Sequence, residues 1–322
     1  TPHSQDVDAW GSPDSQVDLG WQMKPVQNIC LLGFGEVGRT LAEDLSSFPN
    51  VQLTAFDRLF SEKESPASSN LQTCPQVVGY QHATDAVAQA ELVISAVTAA
   101  QDLKAAQSVA SALPAGSWFL DLNSVAPETK QSVASLIEEA GGRYVEAAVM
   151  SPIHPQRSKS PILLGGSHAQ EFVEIGQALG FSGMRFCDEA VGKASATKMC
   201  RSVMIKGLEA LISESLLSAR HYGVEQEVLS SLNNLFPMEN WPRHAHYMIT
   251  RTLEHGARRA EEMREAALTV QAAGLEPQMS QATAERQEWA PQFSAALEQP
   301  ELLPLLDQML TQLHSEAEKF KC

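Results

Sequence analysis

Residues 28–47, NICLLGFGEVGRTLAEDLSS, constrain the fold more than any other stretch of this chain. A short apolar run over 28–33 closes on glycine, and Val37, Leu41 and Leu45 then recur at helical spacing, so strand, tight turn and helix follow one another directly. The alternation is sustained. Strands are expected over 51–56, 77–80, 92–97, 118–122 and 144–149, with helical stretches between them such as 101–113 and 128–140. Two further strands, 161–164 and 184–187, flank a helix over 169–179. Strands that alternate with helices in this way build a parallel sheet covered on both faces. After Gly192 the pattern changes: 194–222 reads as one long helix, and the sequence beyond it is helical between Pro237, Pro242, Gly274, Pro277, Pro291, Pro300 and Pro304.

A chain of 322 residues exceeds the roughly 250 at which a single core divides, so two domains are expected. The predicted fold class is α/β, a doubly wound parallel sheet of Rossmann type over 26–190, followed by an all-α domain over 191–322. Residues 1–25, rich in Ser, Asp, Gln, Pro and Gly and without period, are expected to form a flexible leader in which Trp10 and Trp21 could dock. Segment 61–75 reads as the one long internal loop.

The net charge of −16 opposes a nucleic-acid or anionic membrane partner and leaves room for a small anionic substrate held by a few local cations. The five cysteines are scattered and lack C-x-x-C spacing, which argues against a disulfide framework or a zinc site and fits a reducing cytoplasm. No apolar run reaches the roughly 18 residues of a spanning helix, and no signal pattern opens the sequence. The long helix after residue 193 and the Met- and Leu-rich segment 302–313 carry more apolar face than one small domain needs, so a homodimer is expected.

Gly33-Phe34-Gly35-Glu36-Val37-Gly38 fits G-x-G-x-x-G in the strand-to-helix setting the motif requires. Its first glycine permits the turn, the second admits a pyrophosphate, the third allows close packing, and the helix start offers free N–H groups. Asp57, 19 residues after Gly38, ends the second strand where a carboxylate would accept from an adenosine ribose. It favours NAD slightly, whereas Arg58 beside it could pair with a 2′-phosphate, so NAD and NADP both stay open. A tight turn without a ligand is the bland alternative for the glycines.

Several segments resemble the β-hydroxyacid dehydrogenase family, relatives of 6-phosphogluconate dehydrogenase, from residue 26 onward. Ser95-Ala96-Val97-Thr98 ends the fourth strand, where the resemblance places the chain beside the cofactor. Asp121-Leu122-Asn123-Ser124-Val125-Ala126-Pro127 is similar to D-x-S-[ST]-x-x-P, with Asn123 at the serine that contacts the substrate carboxylate and Ser124 next to it; both can donate. Glu146-Ala147-Ala148-Val149-Met150-Ser151-Pro152 is similar to D-A-P-V-S-G-G, with Met150 and Ser151 at the substrate and the paired glycines replaced. Gly192 to Ser202 resembles the helix G-x-G-x-x-x-K-x-x-x-N, which implies that Lys198 is catalytic and that Ser202 stands for the asparagine. Around His255, Arg258 and Arg259 the chain departs from the family's Lys-Asp pair, which marks a divergent branch with its own C-terminal domain.

Alcohol oxidation needs a base on the hydroxyl as hydride leaves carbon, and a lysine serves if burial lowers its pKa from about 10.4 toward neutrality. Lys198, Ser202, Lys206 and Glu209 share one helix face. That stripe is either a catalytic face at an inter-domain cleft or the wet side of an amphipathic helix. His255, Arg258 and Arg259 form either a cationic cluster for an acid substrate or ordinary i to i+4 pairs with Glu254 and Glu262. His244, His246 and His255 are too weakly patterned for a metal. The leading expectation is an NAD(P)-dependent dehydrogenase of a hydroxy acid or sugar acid, with decarboxylation open. An NADPH-dependent ketone or imine reductase and a dinucleotide-sensing binding protein are the alternatives.

Overall fold

The structure, a computed structural model, describes residues 25–319, so the expected leader, with Trp10 and Trp21, lies outside the described residues but for Pro25. β1 (Asn28–Leu32) leads through the glycine turn into α1 (Glu36–Leu45). Next come β2 (Gln52–Phe56), α2 (Pro66–Gln72), β3 (Val77–Tyr80), α3 (Ala83–Val87), β4 (Leu92–Ser95), α4 (Asp102–Ala110), β5 (Trp118–Asp121), α5 (Pro127–Glu139) and β6 (Arg143–Val149). These six strands pair in parallel in the order β3-β2-β1-β4-β5-β6. The chain winds outward in opposite directions from β1 and β4, which opens a crevice above their C-terminal ends, where α/β sheets of this kind bind ligands.

Helices on both sides make the central strands apolar on both faces. Ile29, Leu31, Ile94 and Leu120 enter one core, and Cys30, Leu32, Val93 and Phe119 enter the other. This is why 28–33 reads as a continuous apolar run rather than an alternating one.

Two expectations are corrected. The sheet is not parallel throughout: residues 150–161 hold only a short 3₁₀ turn, and β7 (Ile162–Gly165) returns antiparallel to β6. A parallel return needs a crossover of a dozen or so residues, usually helical, and none is present here. β8 (Met184–Asp188), reached through α6 (Ala169–Ala178), is parallel to β7 and completes an eight-stranded sheet. The second correction concerns 61–75, which holds α2. Ser65 caps this helix by accepting from Ser68 N at 3.1 Å, and Pro66 occupies its first turn.

From Lys193 onward the described elements are helical: α7 (Lys193–Tyr222), α8 (Glu225–Leu232), α9 (Trp241–Ala272), α10 (Gln278–Trp289) and α11 (Leu302–Lys319). Pro242 does not interrupt α9 but sits in its first turn, behind Asn240, whose side chain accepts from Arg243 N at 3.0 Å. These helices enclose their own core, including Leu216, Trp241, Ile249 and Phe293. Leu302, Leu305, Leu306 and Met309 of α11 are buried within it, so segment 302–313 does not supply a spare apolar face. α7 does: Met204, Leu208 and Leu211 are exposed and, with Met279 of α10, line a groove of about 520 Å³. Among the described residues no helix is long and apolar enough to cross a membrane.

Candidate active site

The glycine turn lies at the mouth of the crevice. Gly33 has φ +97°, and a Cβ there would sit 2.3 Å from Ala96 O on β4's far end, so only glycine fits. A Cβ on Gly38 would meet Gly33 O at 2.2 Å, which is the close packing of α1 on the turn. Gly35 differs: nothing lies within 4 Å of its absent Cβ, and it caps α1 without a side-chain partner. The first N–H groups of α1, on Glu36 and Val37, therefore open beside an unfilled backbone surface, the form of cradle a pyrophosphate needs.

Asp57 holds the rim of this cradle. Its carboxylate accepts from Phe34 N at 2.8 Å and Leu59 N at 2.9 Å, and the oxygens keep lone pairs for a ribose. Arg58 follows it, exposed. Phe34 is a correction to the cofactor set: its ring is fully buried against Phe60, its N–H is engaged by Asp57, and its carbonyl accepts from Asn70.

The floor of the crevice is a buried polar network. Ala96 N donates to Leu32 O at 2.8 Å, Val97 N donates to Asn123 Oδ1 at 2.6 Å, and Thr98 leads into a 3₁₀ turn, Ala99–Gln101. The Asn123 amide donates to Ser95 Oγ at 2.9 Å and to Asp102 Oδ1 at 2.7 Å. Below it Asp121 takes Lys130 at 2.8 Å, with both side chains fully buried, and the Tyr144 hydroxyl at 2.8 Å. Burial, and then the neighbouring Asp121, push the Asp102 carboxyl up to about 7.

The expectation that Asn123 donates to a substrate carboxylate is thus overturned, because both of its N–H donors are engaged. Asn123 instead fixes the loop after β4 to the loop after β5. Asp102, Lys130 and Tyr144 were not found from sequence. They come from three separate elements, and no local spacing marks them.

Lys198 stands across the crevice on the second turn of α7. The start of that helix is held by Glu146 of β6, fully buried, whose two oxygens accept Gly192 N and Ser195 N, each at 2.7 Å. The ammonium of Lys198 donates to Ser124 Oγ at 2.6 Å. Burial lowers its pKa to about 8; Glu262 opposes this, while Lys206, Lys130 and Arg258 reinforce it.

One turn on, Ser202 accepts from Lys206 Nζ at 3.1 Å, and Lys206 pairs with Glu262 at 2.7 Å. Burial alone would raise the Glu262 carboxyl, but Lys206, Lys198 and Arg258 together hold it down to about 2. Glu265, pushed up by burial, accepts from Ala126 N at 2.7 Å and so ties α9 to the start of α5.

The α7 stripe is therefore not a wet face. Ser202, Lys206 and Glu209 are all buried, and Glu209 is paired with Arg259 and Gln287. Arg259 leaves the expected cationic cluster for the same reason. Arg258 is exposed and 3.7 Å from Glu262, while half-buried His255 lies 3.2 Å from Glu254 and is lowered in pKa by burial and then by Arg251.

Met150 packs beside Ala148, Leu163 and Ala194, and Ser151 Oγ donates to Pro152 O at 3.1 Å. Neither is hydrogen-bonded to the Lys198 set. Their loop is anchored to α1 instead, through Arg157 on Glu43 and Asp44, each at 2.8 Å. His246 is bonded to Gln299 O, and among the described residues no three His, Cys, Asp or Glu side chains are placed to hold a metal.

Residues 28–207 match the family described as the NAD binding domain of 6-phosphogluconate dehydrogenase. The chain belongs to that family. Residues 219–290 match a domain of unknown function. The chain is similar to the crystal structure of a conserved hypothetical protein from Sinorhizobium meliloti, at 36% identity over 90% of this chain and 98% of that one, with a TM-score of 0.69. It is 29% identical over 204 residues to an uncharacterized 28.5 kDa protein of Methanothermus fervidus, covering 63% of this chain and 75% of the relative. It is 20% identical over 218 residues to the human mitochondrial 3-hydroxyisobutyrate dehydrogenase, covering 65% of this chain and 62% of the relative, under two thirds of that protein's length. Membership supports a nicotinamide cofactor, and the open backbone at Gly35 fits the pyrophosphate of such a group.

Proposed function

We propose that this chain is an NAD(P)-dependent dehydrogenase acting on the hydroxyl of a hydroxy acid or sugar acid. Gly35, Glu36, Val37 and Asp57 would hold the dinucleotide, with Ala96, Val97 and Thr98 beside its nicotinamide end. The bound nicotinamide supplies the hydride chemistry. The observation that carries the reading is an amine lowered to about 8 by burial, hydrogen-bonded to Ser124 across the crevice from the glycine turn.

Lys198, unprotonated, takes the hydroxyl proton at Nζ, and Ser124 fixes the direction of that lone pair. In the reverse direction the ammonium polarises the carbonyl. Where the hydroxyl is β to a carboxylate, the product is a β-keto acid, and after loss of carbon dioxide the same ammonium protonates the enolate carbon. Asp57 favours NAD over NADP, because its carboxylate repels a 2′-phosphate; exposed Arg58 supports NADP. Arg58, with the glycine-free loop at Met150 to Pro152, also supports a ketone or imine reductase using NADPH.

The test is a screen of short hydroxy acids, sugar acids and ketones with both cofactors, following reduced-cofactor absorbance. Turnover of a hydroxy acid that is lost in Lys198→Met supports the reading. Tight dinucleotide binding with no turnover in any class would replace it with a sensing role. We further propose a homodimer formed through Met204, Leu208 and Leu211 of α7 with Met279 of α10, because this apolar face is uncovered in one chain. A sedimentation velocity run showing monomer at micromolar concentration would remove that proposal. The free cysteines Cys30, Cys74, Cys187 and Cys200 support a reducing, cytoplasmic setting.

A further inference from the structure

Around Lys198 most donors that could take a substrate's anionic group are already engaged. Asn123 is held by Ser95 and Asp102, Lys206 by Glu262 and Ser202, Arg259 by Glu209, and Lys130 by Asp121. Proline at 152 has no N–H to offer. Apart from Ser124 and Lys198, which the reacting hydroxyl uses, donors with spare capacity lie on one stripe of α9. Arg258 is more than half exposed and stands 3.7 Å from a Glu262 that Lys206 already holds at 2.7 Å. His255 is one turn earlier, and the half-buried Arg251 side chain has no ion pair or hydrogen bond among the described residues.

The stripe's position is fixed by its other members. At successive intervals of four, three, four and three residues, Arg251, His255, Arg258, Glu262 and Glu265 follow one face of α9. Glu262 reaches Lys206 beneath Lys198, and Glu265 reaches Ala126 on the sheet side of the crevice. α9 also touches the 99–101 turn that follows Thr98. Arg251, Arg258 and the imidazole of His255 thus extend the line of the site away from Lys198. With a rise of about 1.5 Å per residue, Arg258 lies roughly 6 Å and His255 roughly 10 Å along the axis from the level of Glu262.

Resting on the dehydrogenase reading, we infer that Arg258 and His255, backed by Arg251, form the subsite for the substrate's anionic group. That group is then remote from the reacting carbon, and the substrate is an acid with three or more carbon–carbon bonds between its hydroxyl-bearing carbon and its anion, rather than a compact 3-hydroxy acid.

The test is calorimetric titration of the protein, saturated with its preferred oxidised cofactor, with 3-hydroxypropanoate, 4-hydroxybutanoate, 5-hydroxypentanoate and 6-hydroxyhexanoate. Affinity should rise roughly tenfold or more from the shortest to the longer acids, and Arg258→Met should remove that gain while leaving the shortest acid unchanged. His255→Gln should weaken the longer acids less. The inference is overturned if the shortest acid binds as tightly as the others, if Arg258→Met binds the long acids like wild type, or if none of the four binds. Dinucleotide affinity, measured first by protein fluorescence, separates the two claims. Loss of cofactor binding refutes the dehydrogenase reading, whereas normal cofactor binding with a flat length series refutes only this subsite.

Discussion

Replacing Glu146 by glutamine keeps the shape of the side chain and removes the charge that holds the start of α7. In the native chain two buried N–H groups, of Gly192 and Ser195, donate to its carboxylate at 2.7 Å. A hydrogen bond to a charged group contributes about 1.5–3 kcal/mol, and a neutral one about 1. The amide can accept one of the two N–H groups at the weaker strength. Its NH₂ must then face the other, leaving a buried donor unsatisfied at a cost of about 1–3 kcal/mol. Loss of negative charge at a helix start removes a further 0.3–2 kcal/mol or so. Together these put Glu146→Gln about 2–7 kcal/mol below wild type in equilibrium urea denaturation. Because α7 carries Lys198, kcat should fall while dinucleotide affinity, set by α1 and β2, stays within about twofold. A stability loss under about 1 kcal/mol, or an equal loss of cofactor binding, would refute the claim that this carboxylate fixes the catalytic helix to the sheet.

Gly35→Ala should fold with a stability loss under about 1 kcal/mol, since its Cβ meets nothing within 4 Å, yet weaken dinucleotide binding at least about tenfold in a fluorescence titration. Gly33→Ala should instead cost several kcal/mol in thermal unfolding, because a left-handed φ and a backbone oxygen at 2.3 Å both oppose it. Equal behaviour of the two variants would show that the cradle is not where the cofactor lies. Glu262→Gln removes a charge that favours the Lys198 ammonium, so the rise of oxidation rate with pH should move below its wild-type midpoint near about 8; an upward move would contradict the assigned sign.

The fold was legible where the physics is local. Buried parallel strands show as apolar runs, and a turn that admits only glycine at Gly33 and Gly38 shows as a motif. The direction of β7 was not legible, because periodicity carries no strand polarity and only the missing helix in 150–161 decides it. α2 was hidden by a composition typical of loops, although Ser65-Pro66 is a helix-start signal. In the site, Lys198 could be named from resemblance, but its partner Ser124 lies 74 residues away and Glu146 is 46 residues before the N–H it caps. Spacing alone could not tell a wet stripe from a buried one. What makes Glu209 an interior residue is Arg259, 50 residues further on another helix.

The proposed chemistry needs Lys198 to lose its proton at a pH where an ordinary lysine keeps it. The direct measurement is kcat/KM for oxidation against pH, for wild type and Lys198→Met, on the best hydroxy acid from the screen. The wild-type rate should rise with pH through a midpoint of about 8, and the variant should be slower by about 10²–10⁴-fold, without that rise but with unchanged cofactor affinity. A variant that keeps more than about a tenth of the wild-type rate, with the same pH profile, would contradict it.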